Sequence, residues 1–388
     1  MKISPHLLVL ARESSRLKGL FDCEIRSCGS PALPLTTTPA SCIDGNIYLF
    51  DQQPYSSSIY DSYVKLTGVK AVMDCYTPIC SSPESLISAI HKLNLTANNW
   101  TLSCEVASVF ARGGGAESSL RREVPSKMLM CAIAQHIRGP PLLSSSLPPS
   151  IAFTVIETTS GYFFGSKYRT TLNAGATESP VANQWRKRPY SFSAALSFDA
   201  ATAICRILFT HFQRLNPNKP LREMSFHDPC CGSGTTLFAA LQLGLERVSG
   251  SDINPGAIEG SIKNLVFCGY DYAQVKGMLS LRDATVLASS GYHCDPFDLM
   301  LVNLPWGENK FQYFGENDKI IMSLHKMLHK SSQIAIISHE PLEAKLLNRA
   351  GLEIREVIPL DQNAESNNKR VGKCVISFLV YDTFASDE

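Results

Sequence analysis

From residue 224 to the C-terminus, short apolar runs alternate with segments whose apolar residues recur every three or four positions. The apolar runs predict strands over 224–227, 247–252, 297–302, 333–338, 352–359 and 374–381. Helical spacing between most of them predicts helices over 235–243, 255–267, 318–329 and 341–349. Such alternation implies an α/β fold with a doubly wound, mostly parallel sheet, whose ligands bind beyond the C-terminal strand ends. The last two strands are joined by LDQNAESNNKRVGK, without a helix, which predicts an antiparallel pair.

Upstream, the pattern is mixed. Residues 6–11 read as a strand and 14–23 as a helix. Residues 85–93 read as a helix with Leu86, Ile90 and Leu93 on one face, and 100–110 alternates as a strand. A helix over 125–138 aligns Met128, Leu129, Ala132, Ile133 and Ile137 in one stripe and stops at Gly139, which two prolines follow. Residues 151–157 and 162–167 predict a hairpin around Ser160 and Gly161. This is an α+β region, and no internal repeat is found. Two stretches, GPPLLSSSLPPS at 139–150 and LNAGATESPVAN at 172–183, read as loops, and the second is the better inter-domain linker.

Composition narrows the class. A chain of 388 residues exceeds what one core usually serves, so at least two domains are expected. With 44% hydrophobic and 18% charged residues it is a foldable globular sequence. No run approaches the ~18 apolar residues of a membrane span, and the apolar run Leu7 to Ala11 is too short for a secretory signal. The expectation is an intracellular protein of the cytoplasm, with the nucleus as the alternative, and no membrane partner. The 13 cysteines are odd in number and scattered, and no CxxC pair occurs, so reduced thiols and no metal are expected. A net charge of +1 makes no electrostatic case for nucleic acid over the whole molecule. The clusters Arg121–Arg122, Arg186–Arg188 and Lys369, Arg370, Lys373 each read as solvated faces.

Four short motifs carry candidate chemistry. DPCCGSGT, from Asp228 to Thr235, follows a strand and opens a helix. Gly232 and Gly234 permit a sharp turn and a close ligand approach. The string is neither G-x-G-x-x-G nor a Gly-Lys-Ser/Thr phosphate loop, which leaves a nucleoside-type ligand without phosphates. Asp228 is suited to an ammonium group. SDINP, from Ser251 to Pro255, ends the next strand, where Asp252 suits ribose hydroxyls. Asp252 is also a candidate N-cap for the helix starting at Pro255, although Asn254 is better placed for that role. In RDA, Asp283 can accept from an adenine amino group or serve as an ordinary loop aspartate. VNLPWG follows an apolar strand: Asn303 and the Leu304 carbonyl can accept from a planar amine, Pro305 fixes the angle, and Trp306 offers a face for base stacking.

DPCCGSGT, SDINP and NLPWG, in this order and spacing, resemble the Rossmann-like S-adenosylmethionine-dependent methyltransferases that modify exocyclic amines. YVKLTGVKAVMDCY, the unit at 100–167 and RPYSFSAALSFDAATAICR at 188–206 resemble the THUMP-containing RNA methyltransferases. The resemblance covers most of the chain and is most specific over 185–388. It implies a ferredoxin-like α+β region at 1–98, a THUMP-like domain at 99–170, a linker at 171–187 and a class I methyltransferase domain at 188–388. By the same resemblance Asp228, Gly232 and Gly234 cradle the methionine part of S-adenosyl-L-methionine, Asp252 holds its ribose and Asp283 meets its adenine. Cys230, Thr235, Ile253, Ala284 and Asn303 complete the cofactor set. Asn303 and Pro305 orient the target amine and Trp306 stacks the base.

The family implies tRNA or another structured RNA as substrate, N2-methylguanosine as product, and a small zinc-binding activator subunit as partner. Two departures stand out. Ala239 occupies a position where many relatives carry glutamate, and Leu304 replaces the commoner first proline, a form that resembles the guanine-N2 members. The alternatives are an adenine-N6 nucleic-acid methyltransferase, a protein glutamine methyltransferase and a non-catalytic cofactor-binding RNA scaffold.

Overall fold

The computed structural model describes residues 6–11, 17–28, 41–43, 47–50, 66–67, 69–106, 126–142, 150–158, 161–168, 180–191, 195–286, 295–305, 317–361 and 373–381. The chain divides into two units, one of residues 1–13 with 32–174 and the other of 14–31 with 175–388. Helix α1 (Lys18–Cys28) follows β1 (His6–Ala11) in the chain but belongs to the second unit.

In the first unit β1 joins β2 (Ser41–Ile43), β3 (Ile47–Phe50), β4 (Val69–Cys75), β5 (Trp100–Val106), β6 (Ile151–Thr158) and β7 (Gly161–Tyr168) in one sheet, ordered β2-β3-β1-β4-β7-β6-β5. Only the β5–β6 pair is parallel among these neighbours. The sheet spans both sides of the boundary expected at 98–99. The expected hairpin is β6 and β7, paired antiparallel from Phe153–Ser166 to Thr158–Gly161.

Helix α2 (Pro83–Leu93) starts at a reciprocal cap in which Ser82 and Ser85 each accept from the other's backbone N–H. Leu86 and Ile90 of α2 pack with Leu129 and Ile133 of α3 (Ser126–Ala134) and with Phe153, Val155 and Phe164 of the hairpin. The stripe expected over 125–138 is narrower than its periodicity suggested, and the α-helix itself stops at Ala134. Leu129, Ile133 and Ile137 are buried at four-residue spacing, whereas Met128, one position off that line, is 64% exposed.

The second unit holds the strand–helix alternation. Its elements are α4 (Pro180–Arg186), α5 (Phe198–Leu215), β8 (Ser225–Asp228), α6 (Thr235–Gln242), β9 (Arg247–Asp252), α7 (Pro255–Phe267), α8 (Tyr272–Met278), β10 (Leu279–Leu281), β11 (Phe297–Asn303), α9 (Asn317–Leu324), β12 (Leu328–Ser338), α10 (Ala344–Arg349), β13 (Leu352–Asp361) and β14 (Lys373–Tyr381). Strand order is β10-β9-β8-β11-β12-β14-β13. All pairs are parallel except those of β14, which is antiparallel to β12 and to β13. This is the doubly wound, Rossmann-like α/β sheet that the alternation implied. The order reverses between β8 and β11, which creates a crevice at their C-terminal ends. Residues 171–187, expected as linker, carry α4, whose Trp185 stacks on Phe238 of α6 with centroids 4.5 Å apart.

Helix α5 is buried on most sides, from Ala200 to Phe212, and α1 packs against it. Glu24 of α1 is fully buried and bonded to Arg206 of α5 at 2.5 Å, and Arg214 donates to the Ser27 carbonyl at 2.6 Å. Leu20 and Ile25 are also fully buried, each adding roughly 1.5–3 kcal/mol by removal from water. The helix expected over 318–329 ends earlier, at Leu324. A 3-10 turn at His325–Met327 follows and β12 begins at Leu328. Ser332 explains the change: its hydroxyl donates to the Phe297 carbonyl at 2.7 Å and accepts from the His329 amide at 2.9 Å, drawing this segment into the sheet.

Next to that junction Asp298, 1% exposed, accepts from Lys219 Nζ at 2.7 Å, the Ser225 amide at 2.7 Å and its hydroxyl at 3.0 Å, and meets His329 Nε2 at 3.0 Å. Burial alone would raise its carboxyl, but the bonds to His329, Lys219 and Ser225 outweigh that and hold it well below the usual carboxylate range. The Asp298 partner in turn raises the His329 imidazole. A depressed acid gives stability above its unfolded value that is lost as pH falls. A raised imidazole gives stability below its unfolded value that is lost as pH rises. Asp298→Asn is therefore expected to cost about 3 kcal/mol, with the largest loss in melting temperature between roughly pH 4 and 6.5. A loss that is flat from pH 3 to pH 9 would remove the ionic explanation.

Candidate active site

The expected site residues gather where the strand order reverses. Asp228 ends β8, Asp252 ends β9 and Asn303 ends β11. Asp228 is level with Gly250 across β9, and His227 with Met300 across β11. Asp252 and Asn303 therefore each stand two residues beyond Asp228, on either side of it, about 7 Å further along the strand direction. The turn Pro229–Gly234 fills the space between them before α6 begins.

The turn is held from outside. Gly232 and Gly234 take φ values of +53° and +80°, which a side chain would strain. Asp228 accepts from the Cys230 amide at 2.9 Å and from the Thr236 hydroxyl in a short bond. Asp252 accepts from the Gly232 amide at 2.9 Å through one oxygen and from the Asn254 amide at 2.9 Å through the other. Ser261 of α7 donates to the Gly232 carbonyl at 2.7 Å, and Asn264 donates to the Ser233 carbonyl at 2.9 Å. Asn254, not Asp252, caps α7 by accepting from the Gly256 amide at 2.9 Å. The half-buried Asp252 carboxylate thus keeps further acceptor capacity at the crevice.

The third acidic residue is brought in by the sheet. Leu281 of β10 is paired with Asp252, and the Arg282 amide donates to the Asp252 carbonyl at 3.0 Å, so Asp283 follows directly. One oxygen of Asp283 accepts from both the amide and the hydroxyl of Thr285, at 2.8 and 2.7 Å. Ala284 is buried, Ile253 is 47% exposed, Thr235 is 3% exposed and Cys230 is half-buried in the turn. Burial, followed by the carboxylates of Asp228, Asp252 and Asp283, pushes the Cys230 thiol well above its ordinary range. Asp228 is buried beneath the turn, and Asp252 and Asp283 are only partly buried. A phosphate would be repelled there and a cation attracted.

On the β11 side, the Leu304 amide donates to the Ile337 carbonyl of β12 at 3.1 Å, and the Leu304 side chain is buried among Ile320, Ile336 and their neighbours. The peptide after Asn303 is thereby tied to the sheet. Pro305 is exposed, and Asn317 lies 3.5 Å from its carbonyl. Trp306 falls outside the described residues. Among the described residues no group of three His, Cys, Asp or Glu side chains is arranged to hold a metal ion. None of their helices is long and apolar enough to cross a membrane.

Asp228 differs from its expected place. It is 1% exposed with both oxygens engaged inside the turn, so it braces the backbone from beneath instead of presenting a carboxylate to the crevice. Thr236, Ser261 and Asn264 were not singled out by the sequence. Polar residues inside a helix read as a solvent-facing side, and only the structure shows them turned toward the glycine turn.

No protein-family model matches the chain, and no curated protein does. Among solved structures, TrmN from Thermus thermophilus is similar over 97% of this chain and 100% of its own, at 15% identity and a TM-score of 0.48. SMU.472, solved in complex with SAH, is similar over 98% of this chain and 99% of its own, at 13% identity and a TM-score of 0.42. Both scores lie below 0.5.

Burial pushes the Asp228 carboxyl up to about 7, against the lowering bonds from Thr236 and Cys230. An acid that is harder to ionise when folded loses stability as pH rises from its unfolded value, about 4, to its folded one. Asp228→Asn is expected to match the parent's melting temperature at pH 4, with a gain that grows to a plateau of several degrees above pH 7. A variant less stable than the parent at pH 8 would contradict this account of the turn.

Proposed function

We propose that the second unit binds S-adenosyl-L-methionine in the β8–β9–β11 crevice and methylates the exocyclic N2 amine of a guanosine in structured RNA, with tRNA the first candidate. The observation that carries the cofactor reading is the glycine turn bonded to the partly exposed Asp252, with Asp283 following β10 beside it. Its open backbone suits close approach, and its negative character suits a ligand with a sulfonium and an ammonium group and no phosphates. Asp252 would hold the ribose hydroxyls, the Gly232–Gly234 turn the methionine part, and Asp283 and Ala284 the adenine. Bound there, the cofactor supplies an electrophilic methyl group.

The chain's own contribution is to orient an amine. An aniline-like amine of a base is a weak nucleophile because its lone pair is delocalised into the ring. Two acceptors that take its two N–H groups would fix that lone pair toward the methyl donor, with no strong base required. Asn303 Oδ1 would be one acceptor and the Leu304 carbonyl the other, a role that the Leu304–Ile337 bond and Pro305 support by restraining this segment. Trp306 would stack the base. The string NLPWG supports guanine over adenine by its resemblance to guanine-N2 enzymes. The first unit, through its resemblance to THUMP regions, supports an RNA docking role and argues against a protein glutamine substrate.

Purified chain is to be incubated with labelled S-adenosylmethionine and unmodified total tRNA, with and without a small zinc-binding activator subunit, and the RNA digested to nucleosides. Label is expected in N2-methylguanosine. Label in N6-methyladenosine would overturn the substrate assignment but leave the cofactor site standing. Asn303→Ala is expected to lower turnover about a hundred- to a thousandfold while cofactor affinity stays within about threefold. Activity equal to the parent would remove Asn303 from the chemistry.

A further inference from the structure

Helix α7 carries more than the cap at its start. Its residues Gly260, Ser261 and Asn264 are buried, and the polar partners of Ser261 and Asn264 are backbone groups of irregular segments. The Asn264 side chain, fully buried, accepts from the Tyr190 amide at 2.9 Å and donates to the Tyr190 carbonyl at 2.8 Å and the Ser233 carbonyl at 2.9 Å. Only one orientation of the carboxamide satisfies this set: its oxygen must face the amide and its nitrogen the two carbonyls. One turn earlier, a Cβ on Gly260 would lie 2.2 Å from Cδ1 of Tyr190, so the aromatic ring rests directly on the helix backbone.

We propose that Asn264 is a positioning residue for cofactor binding, joining the segment at Tyr190 and the glycine turn at Ser233 into one wall of the crevice. The inference rests on the reading of that crevice as a cofactor site. A trans peptide directs its N–H opposite its carbonyl. With the Gly232 carbonyl held by Ser261 and the Ser233 carbonyl held by Asn264, the Ser233 amide is fixed on the side of the turn away from α7, and the Gly234 amide is directed to the Cys231 carbonyl, which it meets at 2.8 Å. Cys231 and Ser233 of the turn are buried, and the α7 bonds add to that packing by fixing the orientation of two of its peptides. Tyr190 is set by the same carboxamide, so a change at Asn264 displaces the Tyr190 segment and the turn together. A helix residue needed only for packing would be apolar, like the neighbouring Leu265.

The test is calorimetric titration of S-adenosylhomocysteine into the full chain. Parent protein is compared with Asn264→Ala, Asn264→Asp, Gly260→Ala and Asp298→Asn. Asn264→Asp keeps the acceptor for the Tyr190 amide but faces a carboxylate toward two carbonyls, and Gly260→Ala displaces the Tyr190 ring with Asn264 intact. Both Asn264 variants are expected to weaken binding at least tenfold and Gly260→Ala about threefold. Asp298→Asn, which destabilises the same unit from the far end of the sheet, is expected to stay within twofold. Folded Asn264 variants that bind like the parent overturn the proposal, and so does an equal loss in Asp298→Asn. If the Asn264 variants do not fold, unchanged binding by Gly260→Ala overturns it. Absence of binding by the parent overturns the cofactor reading itself.

Discussion

A turn that must bring its backbone close to a ligand has no room for side chains to hold its own shape. The turn after β8 meets that constraint at Gly232 and Gly234, and the surrounding unit supplies the missing restraints. Asp228 and Thr236 fix it from below, Asp252 takes the Gly232 amide from the neighbouring strand, and Ser261 and Asn264 take two carbonyls from α7. Each restraint requires its element in register. The pairing of β8 with β9 sets Asp252 two residues beyond Asp228, and the cap at Asn254 starts α7 where Ser261 and Asn264 reach the turn. The crevice is thus a consequence of sheet register and helix phase, with few residues of its own.

That origin explains what the sequence makes legible. Strand β9 and helix α7 match their expected limits because the boundary between them is marked locally, by Asn254 with Pro255 at the helix start. Asp252 and Asn303 stand at strand ends, where an acidic or amide residue has a ready meaning. Helix α5 was not singled out, although Ala200, Ile204, Leu208 and Phe212 recur in it at helical spacing. It is buried on most sides from Ala200 to Phe212 and carries an internal Arg206 whose partner, Glu24, lies in α1, 182 residues away in the chain. No local pattern records such a pair. The place of α1 in the second unit was hidden for the same reason, since its buried face is specified by a helix far along the chain.

The polar interior of α7 was illegible for a different reason. Ser261 and Asn264 are common on solvent-facing helix sides, and their meaning depends on the carbonyls opposite them. The early end of α9 follows the same logic. Ser332 recruits residues 328–332 into β12 through the Phe297 carbonyl, overriding a helical pattern that continued to His329. At Ser332 the bond to a distant backbone group outweighed a local preference worth less than about 1 kcal/mol per residue.

The two ends of the sheet treat a buried aspartate in opposite ways. Asp298 and Asp228 are each 1% exposed. At the N-terminal end Asp298 meets a lysine, an imidazole and two donors of Ser225, which more than offset its burial and hold it ionised. At the C-terminal end Asp228 has one hydroxyl and one amide, with Asp252 as a like-charged neighbour, and its carboxyl is pushed up to about 7. A lysine beside Asp228 would relieve that cost, but it would also neutralise the crevice and occupy the space above the turn. Stability is strong where the sheet only has to hold together and is conceded beneath the glycine turn. That is the distribution expected when local imperfections persist at a site because the site needs them.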